Sequence, residues 1–214
     1  DKVFPILQEN CVTCIQGNYD ESVGNDLPDC GCGYTDPRDN YYAQISYDYT
    51  ARKTAPRYKD WLRELPPVYR LTFAGRRVLM AHGSPRRINE FLWESTTPAP
   101  FLAKLLDDYE ADVLLCTHTG IQWTRTLSDG RVFANVGAIG RPPNDGRTKV
   151  WYALLRAESD FALELLPVAY DHERLANEMR QEGLPDEFVE TILTGWWTTC
   201  LEILPARERA RGKY

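Results

Sequence analysis

Three short turns carry most of the side chains that could do chemistry: Gly17-Asn18-Tyr19-Asp20, His82-Gly83-Ser84-Pro85 and Thr117-His118-Thr119-Gly120. Of the three histidines in the chain, His82 and His118 stand in these turns. Each turn directly follows a short apolar or β-branched run, residues 11–16 (CVTCIQ), 76–81 (RRVLMA) and 111–116 (ADVLLC). A side chain at a strand end has fixed backbone behind it and points into the crevice where α/β folds place their ligands. Two imidazoles and an Asn amide oxygen suit Mn²⁺, Fe²⁺ or Zn²⁺ better than Ca²⁺. One such His alone is more often a hydrogen-bonded structural residue. Three donors at three strand ends make Asn18, His82 and His118 a candidate ligand set for one cation.

The elements that must position them alternate between helix and buried strand, which predicts an α/β layered architecture. Residues 1–10 read as the end of a helix, with Val3, Ile6 and Leu7 as its apolar stripe. Residues 11–16 read as a strand, 21–40 as loop because of their Asp, Gly, Pro and Asn content, and 41–65 as one or two helices. Residues 68–73 and 76–81 read as a hairpin closed by Ala74-Gly75. An amphipathic helix is expected over 98–110, strands over 111–116, 123–127, 131–134, 150–157 and 161–168, and two helices over 171–203 split by Gly183-Leu184-Pro185. The basic run 206–213 reads as a solvated end. Residues 1–170 are expected to form one domain and 171–214 a helical extension packed on it.

Composition narrows the function classes. The chain has 214 residues, 43% hydrophobic, enough to bury one core. A net charge of −6 argues against a nucleic-acid groove, which needs a basic face. It leaves room for a small phosphorylated substrate, since a bound cation supplies local positive charge. No run approaches the roughly 18 apolar residues of a membrane span, and no signal peptide is visible. The expectation is a cytoplasmic protein, a homo-oligomer being one possible assembly. On the same ground the six cysteines are expected as thiols. Cys11 and Cys14, three apart on a strand, would point to opposite faces. Cys30 and Cys32, in a Gly-containing loop, are the better candidates for redox or metal chemistry. A zinc or redox module built on the cysteines is thus a distant rival reading.

The motifs, in order, resemble those of the calcineurin-like metallophosphoesterases. Gly17-Asn18-Tyr19-Asp20 is similar to that superfamily's GNH(D/E), His82 to its lone His after an apolar strand, and Thr117-His118-Thr119-Gly120 to its GHTH. Residues 135–142 (NVGAIGRP) resemble the NPGSVGxPR loop of small bacterial and archaeal members. The likeness runs from residue 1 to about residue 195. It implies a two-sheet α/β sandwich, hydrolysis of phosphomonoesters or phosphodiesters, and two divalent metals (Mn, or Fe, Zn or Ni) about 3.5–4 Å apart. It also implies that Asn18, His82 and His118 ligate one of them.

The sequence departs from that pattern in three places. The superfamily's D-x-H and GD motifs are absent, so a preceding β-α-β unit of about 30 residues or more is expected to be missing. The chain as it stands is then expected to be inactive or nearly so. Tyr19 occupies the position of the His treated as a general acid; a phenol with a pKa of about 10 holds its proton at neutral pH. Residue 19 as Tyr followed by Asp29-Cys30-Gly31-Cys32 resembles a GNYD subset. Gly120 has no donor where the second GHTH histidine would stand, which weakens the second metal position. In the implied mechanism Tyr19 and Asp20 are catalytic, Asp20 orienting Tyr19, and Arg86 or Arg87 pairs with phosphate. The alternative is a catalytically impaired member that binds a phosphorylated ligand or a protein partner.

Overall fold

A computed structural model describes residues 1–11, 13–157 and 161–210. The chain begins with four helices, α1 (Val3–Asn10), α2 (Asn18–Gly24), α3 (Pro37–Lys53) and α4 (Pro56–Glu64). Strands β1 (Val68–Phe73) and β2 (Arg76–Ala81), helix α5 (Ala99–Asp108), and strands β3 (Val113–Cys116), β4 (Trp123–Thr126) and β5 (Val132–Asn135) follow. Then come β6 (Val150–Ala157), β7 (Phe161–Val168) and helices α6 (His172–Gln181), α7 (Asp186–Thr194) and α8 (Ala206–Arg209).

Five strands form one sheet in the order β1-β2-β3-β5-β4, and β6 pairs with β7 in a second sheet. The pairs β2–β3 and β3–β5 are parallel, whereas β1–β2, β4–β5 and β6–β7 are antiparallel. The period-two alternation of side chains sorts the core. Leu79, Ala81, Leu114, Cys116 and Phe133 face α5 and pack on Leu102, Leu105 and Leu106. Val78, Val113, Leu115 and Ala134 face the other way, onto Leu155, Phe161 and Leu163 of the β6–β7 hairpin. All four residues of β3 are therefore buried, which is why it reads as a continuous apolar run. The result is the layered α/β architecture that the alternating pattern implied, in the two-sheet sandwich form that the motif resemblance implied. None of the described helices is long and apolar enough to cross a membrane.

Four expectations are corrected. Residues 11 and 13–16 are not a strand. A strand needs a ladder on a neighbour, whereas among the described residues Gln16 alone bonds onward in the chain, N to Pro66 O at 2.8 Å and Nε2 to Leu62 O at 2.9 Å. Freed from strand geometry, the Cys14 thiol reaches Cys11 rather than pointing away from it, and its pKa is raised by burial and then by that neighbour. The supposed loop 21–40 contains the rest of α2 and the start of α3, which Asp36 caps by accepting from Arg38 N at 2.8 Å with Pro37 at the first helical position. The apolar stripe of α1 is not what packs, since Val3 and Ile6 are 53% and 60% exposed. Phe4 packs instead, stacked on Tyr58 with ring centroids 4.2 Å apart.

The fourth correction concerns the C-terminus. Residues 206–209 are helical, and Glu208 is 1% exposed. Its carboxylate accepts from Ser95 N at 2.9 Å and from Ser95 Oγ, and its carbonyl accepts from Asn144 Nδ2 at 3.5 Å. The remainder of the basic run, 211–213, lies outside the described residues. Upstream, Asp39 Oδ2 accepts from Ile203 N at 2.8 Å and Tyr42 donates to Glu187 at 2.7 Å. The C-terminal segment is thus anchored to α3 and to the loop after Trp93. Trp93, Trp123 and Trp197 all pack in the core. Glu208→Ala is expected to lower the unfolding free energy by about 2 kcal/mol, because a fully buried side chain is removed together with its hydrogen bonds from Ser95 N and Oγ. Glu202→Ala, which removes a half-exposed partner of Arg209, is expected to cost about 0.5 kcal/mol or less. Urea unfolding of the two variants measures the difference.

Candidate functional site

Parallel pairing of β2 with β3 brings the two histidine turns side by side. The pairing continues past the strand ends, where Thr117 N donates to His82 O at 2.8 Å. On the other flank Val136 N donates to Cys116 O at 2.8 Å, so the 135–140 loop follows β3 in the same way. Asn135, fully buried, clamps the corner: its amide donates to Thr117 O at 2.6 Å and to Thr119 Oγ1 at 2.8 Å, and its oxygen accepts from Gly137 N at 3.1 Å. His118 is held at φ +64°, a left-handed conformation that His adopts more readily than most side chains. Thr119 N closes the turn onto Thr117 O at 2.7 Å.

Asn18 arrives from the first turn of α2. Gly17 begins that helix, and Asp20 caps it by accepting from Gly17 N at 2.8 Å. A Cβ at residue 17 would lie 2.9 Å from His82 Nδ1, so only glycine lets the helix start against the imidazole. The Asn18 amide nitrogen donates to Cys30 O at 2.7 Å and approaches Cys32 Sγ at 3.3 Å. A carbonyl partner on the nitrogen fixes the amide orientation and turns Oδ1 inward.

The structure brings Asn18, His82 and His118 together. His82 Nε2 lies 2.8 Å from Asn18 Oδ1 and 3.0 Å from His118 Nδ1. His118 Nε2 donates to Cys32 O at 3.2 Å, which leaves Nδ1 as a bare acceptor. Two ligand atoms each about 2.1 Å from a cation and at right angles around it stand about 3.0 Å apart, so the spacing suits a shared ion. Burial, with His118 beside it, lowers the His82 pKa to about 3, and burial lowers that of His118 to about 4 against the pull of the Cys32 carbonyl. Both rings are neutral at pH 7, the state in which an imidazole ligates metal. The donor set therefore fits a divalent cation and leaves coordination positions open to water or substrate. Among the described residues, no cluster of three or more His, Cys, Asp or Glu could hold a metal, so the trio depends on its Asn.

Other expected site residues lie elsewhere. Tyr19 donates its hydroxyl to Ala43 O at 3.2 Å and packs edge-on against Tyr47; burial raises its pKa further. Asp20 is committed to Gly17 N rather than to Tyr19, with burial raising its pKa. Arg86 is paired with Glu90 and lies over Phe101, and Arg87 donates to Asn89 at 2.7 Å, so neither charge is turned to the trio. Gly120, at φ +71° and with Trp197 3.4 Å from where a Cβ would stand, offers no donor. Cys30 and Cys32 form a disulfide, contrary to the expected thiols. With one glycine between them, the two sulfurs meet across a tight turn, and the carbonyls of the same two residues hold Asn18 and His118. Their place beside the motifs was legible in the sequence; their backbone role was not. Asn135 and Arg141 were also missed as site residues, although both belong to the 135–142 motif. Arg141 lies 3.7 Å over the Trp197 ring and donates to Thr199 O at 2.7 Å, beside Tyr19.

Known proteins place this geometry. No protein-family profile matches the chain. Its sequence is 24% identical over 203 residues to an uncharacterised protein of Methanocaldococcus jannaschii, covering 87% of this chain and 76% of that one. Among solved structures, a hypothetical protein from Pyrococcus horikoshii OT3 superposes with a TM-score of 0.73 at 20% identity, over 92% of this chain and 79% of that one. A metallophosphoesterase from Sphaerobacter thermophilus superposes with a TM-score of 0.60 at 22% identity, over 85% and 76% of the two chains. The chain has the metallophosphoesterase fold. Within that fold, Asn18, His82 and His118, the residues implied as ligands by the motif resemblance, are the ones that meet.

Gly17→Ala is expected to cost about 1–3 kcal/mol, because a methyl group must displace the His82 ring or the start of α2. Gly140→Ala, where nothing lies within 4 Å, is expected to fall within about 0.5 kcal/mol of the parent. Thermal unfolding compares the two.

Proposed function

We propose that the protein is a divalent-metal-dependent phosphoesterase whose metal is held by Asn18, His82 and His118. The observation that carries this reading is the convergence of three neutral donor atoms within 3.0 Å of one another along the chain of contacts. A divalent cation there, Mn²⁺ being the first choice and Fe²⁺, Zn²⁺ or Ni²⁺ alternatives, would polarise a phosphoryl oxygen and supply a nucleophile at neutral pH. The chain's own residues do the rest. The Cys30 and Cys32 carbonyls hold the donors in register, as outer-shell partners of metal ligands do. Asn135 keeps the His118 turn closed. Arg141, rather than Arg86, is the cation assigned to the substrate's phosphate, since it lines the cavity beside Tyr19 and Cys32. The substrate class is a small phosphate ester. A cytoplasmic setting is part of this reading, with Cys11, Cys14, Cys116 and Cys200 as free thiols and the Cys30–Cys32 disulfide open to reduction there.

A second reading is favoured by two observations, the donor-free Gly120 and the Tyr19 hydroxyl turned onto Ala43 O. On that reading the fold binds a phosphorylated ligand without turning it over. Mn²⁺ titration by calorimetry and hydrolysis of a chromogenic phosphate ester by the full-length protein separate the two. His118→Ala and Asn18→Ala are each expected to weaken Mn²⁺ binding by about 100-fold or more, beyond the 10–100-fold typical of outer-shell changes, and to abolish hydrolysis. Unchanged Mn²⁺ affinity in His118→Ala would refute the ligand assignment. Metal binding without turnover would leave the binding-only reading. Tyr19→Phe is expected to reduce turnover by less than about tenfold, because a positioned proton donor contributes 10²–10⁴-fold and this hydroxyl is committed elsewhere. A loss beyond about 100-fold would restore Tyr19 as the acid.

A further inference from the structure

A cavity of about 630 Å³ lies against the trio's supporting loops, and the sequence motifs say nothing of it. Its walls come from segments far apart in the chain. Tyr34 and Tyr42, Met179, Phe188 and Ile192 of α6 and α7, and Arg141 all line it. Its volume falls in the range of small-molecule sites, about 300–1,000 Å³. The lining is chiefly rings and aliphatic side chains, and Arg141 is its one charged group among the described residues. The walls are fixed: Tyr42 donates to Glu187 at 2.7 Å and its ring lies 5.9 Å from that of Phe188. Arg141 is braced on Trp197 and on Thr199 O.

The cavity and the trio share one residue as a partition. Cys32 lines the cavity, and its carbonyl accepts from His118 Nε2 at 3.2 Å. Tyr19, next to Asn18, lines it as well, and so does Ala138 from the loop clamped by Asn135. None of Asn18, His82 and His118 lines the cavity; it adjoins them through Cys32, Tyr19 and Ala138 and carries one cation, Arg141, among the described residues.

We propose that this cavity binds the organic arm of the substrate, and that the arm is aromatic. The substrate class becomes aryl phosphate esters: the anionic phosphoryl group on the side of the trio and Arg141, the ring among Tyr34, Tyr42, Phe188 and Met179. Rings and a thioether offer offset-stacking and sulfur–ring contacts that a polyol cannot use. A sugar or glycerol arm would instead have only Ser46, Thr191 and Thr199 as hydroxyl partners in a wall that is mostly apolar, which costs affinity. This proposal rests on the phosphoesterase reading for the phosphoryl end, but the cavity's preference for a ring does not need the metal.

Calorimetric titration of the protein with 2-naphthyl phosphate, glycerol 2-phosphate and 2-naphthol, each with Mn²⁺ and after EDTA treatment, tests it. The expected result is binding of 2-naphthyl phosphate about tenfold or more tighter than glycerol 2-phosphate, and measurable binding of 2-naphthol in EDTA. Met179→Trp, which fills the chamber from its half-buried wall, should remove the tenfold preference and 2-naphthol binding. Phe188→Leu, a milder change that keeps α7 apolar, should reduce the preference about threefold or more if Met179→Trp does not fold. Equal affinity for the two esters, no 2-naphthol binding, or a preference that survives both variants would overturn the proposal. Tight ring-dependent binding without hydrolysis would uphold the cavity and refute the phosphoesterase reading instead.

Discussion

One backbone hydrogen bond organises the rest, from Thr117 N to His82 O. It carries the parallel pairing of β2 and β3 beyond the strands, so two imidazoles from distant parts of the chain emerge side by side. That register holds because both faces of the two strands are buried, one under α5 and the other under β6–β7. A slip by one residue would exchange the two faces and bury neither set correctly. The site thus inherits its precision from the least polar part of the molecule.

Gathering an amide and two imidazoles in a buried place demands partners for every remaining polar atom. The turn around Gly31 supplies them with two backbone carbonyls, Cys30 O for Asn18 and Cys32 O for His118. Asn135 does the same for the His118 turn from the opposite side. These contacts are made by main chain or by a buried amide. The donors are consequently held by geometry that surface changes do not reach, while the two rings stay neutral through burial.

The C-terminal helices complete the surroundings. Asp39 on α3 receives the backbone of residues 202 and 203, Glu208 receives Ser95, and Asn144 Oδ1 accepts from Trp197 N at 2.9 Å. These buried polar anchors seat Trp197 beneath Arg141 and set α7 across from α3. The chamber between them exists only because both ends of the chain close on the same loops, and no local pattern foretells it.

Much of the fold was legible in the residue order. The alternation of apolar strands with helices fixes the layered class, since β3 (VLLC) can be buried on both faces only inside such a sandwich. Strands β1, β2, β6 and β7 fall where their period predicts, because the hairpins closing them are local. The donors Asn18, His82 and His118 were legible as well, each following an apolar run. Tertiary structure decided what local pattern cannot carry. Residues 11–16 have strand composition, and the described ones have no strand partner. Arg86 meets Glu90 before it can meet a phosphate, and Arg141, unremarkable in sequence, lies over the Trp197 ring at the cavity's lining. The basic end hides a buried carboxylate, Glu208, whose partner Ser95 stands 113 residues earlier. Side-chain type and period determine which elements form, whereas pairing across long separations determines which charges and hydroxyls remain free to act.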